Sequence, residues 1–238
     1  MELKDHALKM LLNFVFTRFK SISFQSRIYW YKYILRKKFR LSFSGLIKIT
    51  SSDGRNLLVA SKRVRHKYQL PGGVFFCFNS WADPSLLEQD EVMNDIPKLD
   101  MRFKVKDGKE ARIPEIINKF MSGACRELTP EREFHEELIE TNILDKELFS
   151  SPKFYKTHTH EIDFEMTKGR GGEFCSFYRF DIFEMILNEK QQDFIDKIAK
   201  EARTTSQYVF ATKNELVRGL PDESGCEIQF PDFVKSIL

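Results

Sequence analysis

The sequence predicts an α/β protein with a helical N-terminal extension and a long internal insertion, and three observations support that reading. Two short apolar runs flank Ser51-Ser52-Asp53-Gly54-Arg55-Asn56, which is the pattern of strand, hairpin turn and returning strand. A helix-periodic stretch follows Thr129-Pro130 and places Glu133, Glu136 and Glu137 on one short surface. Residues 1–48 hold 11 Lys or Arg against only Glu2 and Asp5, although the whole chain is at +3, so the basic end is a region distinct from an acidic remainder.

At 238 residues, 42% hydrophobic and 31% charged, the chain has the composition of a globular protein long enough to bury a sizeable core. Arg18 and Lys20 interrupt its best apolar stretch, which falls short of the roughly 20 residues that cross a bilayer. No small-residue cleavage site follows residues 11–16, so a secretory signal is not expected. Cys77, Cys125, Cys175 and Cys226 are widely spaced, which predicts neither a zinc site nor a disulfide framework but buried thiols in a reducing, cytoplasmic setting.

The elements follow in order. Leu3, Ala7, Leu8, Leu11, Leu12, Val15, Phe16 and Phe19 recur at the spacing of an amphipathic helix over 3–19. Residues 24–43 interleave Tyr29, Trp30, Tyr31, Tyr33 and Phe39 with Arg27, Lys32, Arg36, Lys37, Lys38 and Arg40. Packing against the main domain or a second copy, as in a homodimer, is the simplest use of that mixture; contact with a membrane surface or a nucleic acid is the alternative. The extension is therefore expected over 1–44 and the main domain over 45–238.

Within the domain, strands are expected at 46–50 and 57–62, and another ends at Leu70 and feeds Pro71-Gly72-Gly73. An insertion is expected at about 75–121. Its polar stretches read as loops, 101–106 alternates like an edge strand and 114–121 reads as a short helix; insertions of this size serve as lids, specificity walls or partner surfaces. For the next helix, Thr129 is the expected N-cap, Pro130 the first helical residue and Glu131 a favourable first-turn charge. Phe134, Leu138 and Thr141 are expected to face the sheet, and Glu133, Glu136, Glu137 and Glu140 the opposite side. Strands at 153–164 and 173–183 flank the turn Gly169-Arg170-Gly171-Gly172, and a helix at 189–202, a strand at 208–210 and a helix at 213–218 close the chain.

Three carboxylates on one helical surface repel unless something positive sits among them, and a hard divalent cation, Mg²⁺ or Mn²⁺, is the common answer. A solvated acidic face is the bland alternative. Upstream, the Gly72-Gly73 pair in Gln69-Leu70-Pro71-Gly72-Gly73-Val74 permits close backbone approach, or is an ordinary turn.

Together, Leu70-Pro71-Gly72-Gly73 and Arg132-Glu133-Phe134-His135-Glu136-Glu137 resemble the Nudix hydrolase family, whose signature runs G-x5-E-x7-R-E-U-x-E-E-x-G-U after a strand ending in L-P-G-G. The resemblance implies an α/β/α sandwich around a mixed β-sheet and hydrolysis of a diphosphate linkage in a nucleotide derivative. It implies Glu133, Glu136 and Glu137 as metal ligands, with the Gly73 carbonyl a further oxygen donor, and Glu133 and Glu137 as catalytic carboxylates. Glu133, or one of Glu161, Glu165 and Glu173, would deprotonate the attacking water. Arg132 would brace a motif glutamate, and Gly72 would lie against substrate.

Arg65 and Lys67, in the run Lys62 to Lys67, are the candidates for phosphate or base contacts because they approach the glycine turn; a charged sheet edge is the alternative. His158 and His160 alternate on one strand and are read as a half-exposed sheet face.

Two departures from the signature matter. Residues 74–131 separate Gly73 from Arg132, far more than the signature allows, so its first Glu cannot be placed by counting. Leu138-Ile139-Glu140 also replaces the glycine after the paired glutamates. The long insertion and basic aromatic N-terminus look most like the SMODS-associated Nudix branch, which implies a bacterial nucleotide-signalling setting directed against phage. The departures also leave open a nucleotide-binding sensor or interaction module that has lost turnover.

Overall fold

The computed structural model describes residues 23–61, 67–78, 81, 83–89, 92–93, 96–97, 100–169, 172–201, 204–218 and 234. The expected helix at 3–19, the basic residues 62–66 including Arg65, the turn residues Arg170 and Gly171, and Cys226 lie outside the described residues.

In chain order the elements are α1 (Phe24–Tyr29), continued by a π-helical turn at Trp30–Ile34, β1 (Lys38–Lys48), β2 (Asn56–Ala60), β3 (Tyr68–Gln69) and β4 (Gly72–Val74). The insertion contributes β5 (Leu87–Gln89), the short hairpin strands β6 (Val92–Met93) and β7 (Ile96–Pro97), β8 (Arg102–Val105) and α2 (Ile113–Met121). Then come α3 (Glu131–Phe134) with its π-helical continuation His135–Ile139, β9 (Phe154–Gly169), β10 (Gly172–Met185), α4 (Glu189–Glu201), β11 (Tyr208–Ala211) and α5 (Lys213–Arg218).

β1 is the axis of a mixed sheet. It pairs in parallel with β10 from Lys38↔Phe174 to Lys48↔Glu184, and β9 lies antiparallel beyond β10. The other edge of β1 is shared: β8 covers Arg40–Ser42 and β4 covers Ser44–Leu46, both antiparallel, with β5 outside β8. A second sheet runs β11-β2-β3.

Strand alternation divides the core between the faces of β1. Phe39, Leu41 and Phe43 pack with Ile28 and Tyr31 at one end of the chain and with Ile113, Ile116 and Phe120 of α2. Ile47 and Ile49 pack with Phe134, Leu138, Ile195 and Ala199 of α3 and α4. Leu46, on the opposite face, joins Leu58, Ile182, Val209 and Leu216 of α5. Helices therefore cover both faces of the sheet, the sandwich that the sequence resemblance implied. Phe43 stacks on Phe120 with ring centroids 4.3 Å apart, and each fully buried ring of this kind contributes roughly 1.5–3 kcal/mol.

Several expectations need correction. β1 begins at Lys38, ahead of the expected domain start at Gly45, because Phe39, Leu41 and Phe43 are core residues whose alternation with Lys38 and Arg40 imitated a basic aromatic extension. The stretch at 101–106 is a strand but not an edge, since β5 lies outside it. The described strands β5 and β8 of the insertion thus widen the main sheet, and α2 covers it. Thr129 is not the N-cap: α3 starts at Glu131 with Pro130 in the cap position and no side-chain cap bond. The hairpin β9–β10 is longer than expected because register shifts near Ser176/Tyr178 and Ile182/Phe183 break the alternation that reads as a strand.

Candidate active site

The glycine turn and the carboxylate helix meet across β1. Gly72 sits at φ +128° where β4 lies flush on β1, and a side chain there would collide with the Gly45 carbonyl and stand 2.9 Å from Leu46 Cα. Gly73 pairs with Gly45, and α3 runs over that pair. A Cβ on Gly73 would fall 2.5 Å from Glu133 Cδ, so the Glu133 carboxylate occupies the space that the missing side chain leaves. Glu137 reaches the same turn, its Oε2 accepting the Gly72 N–H at 2.8 Å.

Arg132 organises the remaining carboxylates. Its Nε donates to Glu127 Oε1 at 3.0 Å, Nη1 to Glu136 Oε1 at 3.1 Å and Nη2 to the Val74 carbonyl at 2.9 Å. Nη2 also stands 3.0 Å from Glu133 Oε1. Glu127 Oε2 in turn accepts the Phe76 N–H at 2.7 Å, which ties the strand after the glycine turn to the start of the helix. Asp100, from the insertion, faces Phe76 across an isolated antiparallel bridge.

The electrostatics follow from that packing. Burial raises the pKa of Glu133, the positive charge of Arg132 works against the rise, and the negative charges of Glu136 and Asp100 add to it. Burial opposes the Arg132 charge, but Glu133 and Glu127 more than offset it and hold the guanidinium protonated. The positive charge expected among the glutamates is thus supplied here by an arginine of the same helix.

Carboxylate oxygens are the donors a hard divalent cation takes, so the chemistry of Glu133, Glu136 and Glu137 fits one. Their placement is not a finished cage: among the described residues no group of three or more His, Cys, Asp or Glu side chains is arranged to hold an ion. The expected convergence of the three glutamates is divided, with Glu133 and Glu136 turned to Arg132 and Glu137 to Gly72. The Glu136 side chain, 43% exposed, has room to turn.

Of the other candidates, Lys67 lies at the mouth of the β2–β3 hairpin, its carbonyl accepting the Ser61 N–H at 2.7 Å, in the second sheet rather than the one that holds Gly73. Glu161 is paired with Arg179, and Glu173 with Lys37 at 2.6 Å. Glu165 pairs in register with Ser176 on the β9–β10 hairpin. His160 stacks on Phe180 and burial lowers its pKa, as expected of a sheet-face histidine.

Two residues of the site escaped the sequence. Glu127 accepts from Arg132 and so braces the arginine; its only sequence signal is a carboxylate just ahead of the helix. Asp100 had no signal, because only strand register brings it to Phe76.

A family model described as the SMODS-associated NUDIX domain matches residues 38–229, starting at the first residue of β1. No curated protein and no solved structure matches.

Proposed function

The chain belongs to the SMODS-associated NUDIX family, and on that premise we propose that it is a divalent-cation-dependent hydrolase of the diphosphate linkage in a nucleotide or nucleoside diphosphate derivative. Family membership points to a nucleotide-derivative hydrolase and to divalent cations in general; the bond and the ion are the proposal. The observation that supports it best is the seating of Glu133 against Gly73, which ties the glycine turn and the carboxylate helix into one site.

Charge explains why a cation belongs there. Glu127, Glu133 and Glu136 share Arg132 as their cation, and Asp100 adds negative charge beside Glu133; two unit charges at 4 Å interact by about 4 kcal/mol at an effective dielectric constant of 20. A diphosphate approaching these carboxylates is repelled until positive charge is added. Glu133, Glu136 and Glu137 would hold Mg²⁺ or Mn²⁺, which would supply that positive charge and the Lewis acidity that activates water.

The chain's own residues position and move protons. Arg132 fixes the direction of Glu133 and Glu136, Glu127 fixes Arg132, and the Gly72 N–H fixes Glu137. Glu133, or one of Glu161, Glu165 and Glu173 on the β9–β10 hairpin, takes the proton of the attacking water. The nucleotide-signalling setting implied by the sequence resemblance makes signalling nucleotides and free nucleotides the first class to screen. With Mg²⁺ and a panel of nucleoside triphosphates, dinucleotides, nucleotide sugars and cyclic oligonucleotides, the double substitution Glu136→Gln/Glu137→Gln should abolish product release; unchanged turnover overturns the assignment.

A second reading, a nucleotide-binding sensor without turnover, is favoured by the engagement of the carboxylates with Arg132 and Gly72 and by Leu138-Ile139-Glu140 in place of the signature glycine. Calorimetry with Mg²⁺ and the same panel separates the two, since tight binding without product identifies a sensor and multiple turnovers exclude it.

A further inference from the structure

The N-terminal helical segment has a second face that the core does not use. Inward, Ile28 and Tyr31 are buried, and three ion pairs rivet the segment to the domain: Arg27 to Asp163 at 2.8 Å, Lys32 to the buried Glu110 at 2.5 Å and Lys37 to Glu173 at 2.6 Å. Outward, Tyr29, Trp30, Tyr33, Ile34 and Leu35 are 62, 40, 55, 56 and 41% exposed. Five large apolar side chains are thus exposed within seven residues, the Tyr29 and Tyr33 rings lying 4.5 Å apart, a local density of apolar surface that soluble proteins rarely leave open. Exposed Arg36 and Lys38 border it.

We infer that this face, Tyr29, Tyr33, Ile34 and Leu35 bordered by Arg36 and Lys38, docks on an anionic lipid surface. Charge complementarity selects that occupant: Arg36 and Lys38 are exposed beside the apolar side chains, residues 24–38 contain no Asp or Glu, and each Lys or Arg near such a surface adds to attraction by acidic headgroups. Tyrosine rings with polar tips suit the headgroup boundary, while aliphatic Ile34 and Leu35 suit the acyl region beneath it. A nucleic acid would use the rings but has no stacking partner for Ile34 and Leu35. A second copy docked through the same face would bring its own Arg36 and Lys38 and no acidic residue to meet them, since residues 24–38 contain no Asp or Glu.

The test is co-sedimentation of the full chain with vesicles of phosphatidylcholine alone or mixed with phosphatidylglycerol. Binding should require the acidic lipid and weaken as salt approaches about 1 M, where the screening length falls to about 3 Å. The double variants Ile34→Ser/Leu35→Ser and Arg36→Glu/Lys38→Glu should each bind about tenfold more weakly with unchanged thermal unfolding, because they leave Ile28 and Tyr31 in place. Equal binding to both vesicle types, or parent-like binding by both variants, overturns the proposal. So does a parent chain that ignores vesicles but self-associates in light scattering or retains single-stranded RNA, in either case through Ile34 and Leu35.

Discussion

The carboxylate of Glu133 fills the volume that the absent side chain of Gly73 leaves open, with Glu133 Cδ only 2.5 Å from where a Cβ would stand. One residue's lack of a side chain is therefore the other's binding position, although residues 74–132 separate them in the chain.

Gly73→Ala should displace Glu133 and cut turnover by about 100-fold, the scale of loss expected from an ångström of misplacement. Stability should change less than in Gly72→Ala, where a left-handed backbone and the Gly45 carbonyl both oppose the methyl group, at a cost of about 1–3 kcal/mol. Thermal melts and steady-state rates on the two variants separate these effects, and Gly54→Ala, with open space around it, controls for backbone strain alone.

Arg132→Lys should lower both activity and stability. A single ammonium cannot reproduce the contacts to Glu127, Glu136, Glu133 and the Val74 carbonyl, and the loss should be about 1–3 kcal/mol in denaturant unfolding. Glu127→Gln should give a smaller loss of the same kind, since its bond from the Phe76 N–H can persist while the charge on Arg132 loses a partner.

Glu133→Gln should abolish turnover and yet stabilise the fold at neutral pH. The folded-state pKa of Glu133 lies above its ordinary 4.5, with burial as the main cause. A raised pKa means that the folded state binds the proton more tightly, so this group's contribution to stability is present below pH 4.5 and is lost as pH rises through the folded value. The stabilising effect of the substitution should therefore appear near pH 7 and fade below pH 4.5 in unfolding curves.

Asp53→Asn tests the opposite sign at the β1–β2 turn. Hydrogen bonds from Arg55 and then Ser51 lower the Asp53 pKa from 3.8 to about 2. Its contribution is therefore complete above pH 3.8 and disappears as pH falls through about 2. The variant should melt below the parent at pH 6, and the two should converge near pH 2, with solvent screening keeping the difference small.

Local chemistry was legible in the sequence because it depends on neighbours along the chain. The turn at 51–56, the proline and glycines before Val74, the helical spacing of Glu133, Glu136 and Glu137, and the strands near Tyr208 and Cys175 all obey short-range rules of dihedral preference and periodicity. The same rules misled at Phe39 to Phe43, where a buried strand with charged alternate residues looked like an appendage, and at Thr129, which has the right chemistry for a cap but does not form one.

By itself, then, the sequence determined the family resemblance and that a glycine turn and a carboxylate helix belong together. Only the tertiary structure decided how they meet: Gly73 under Glu133, Glu127 as the brace of Arg132, Asp100 delivered by the insertion, and β8 laid along β1 with β5 outside it. Sheet register fixes these relations between residues far apart in sequence, through backbone pairing and core packing that no local pattern encodes.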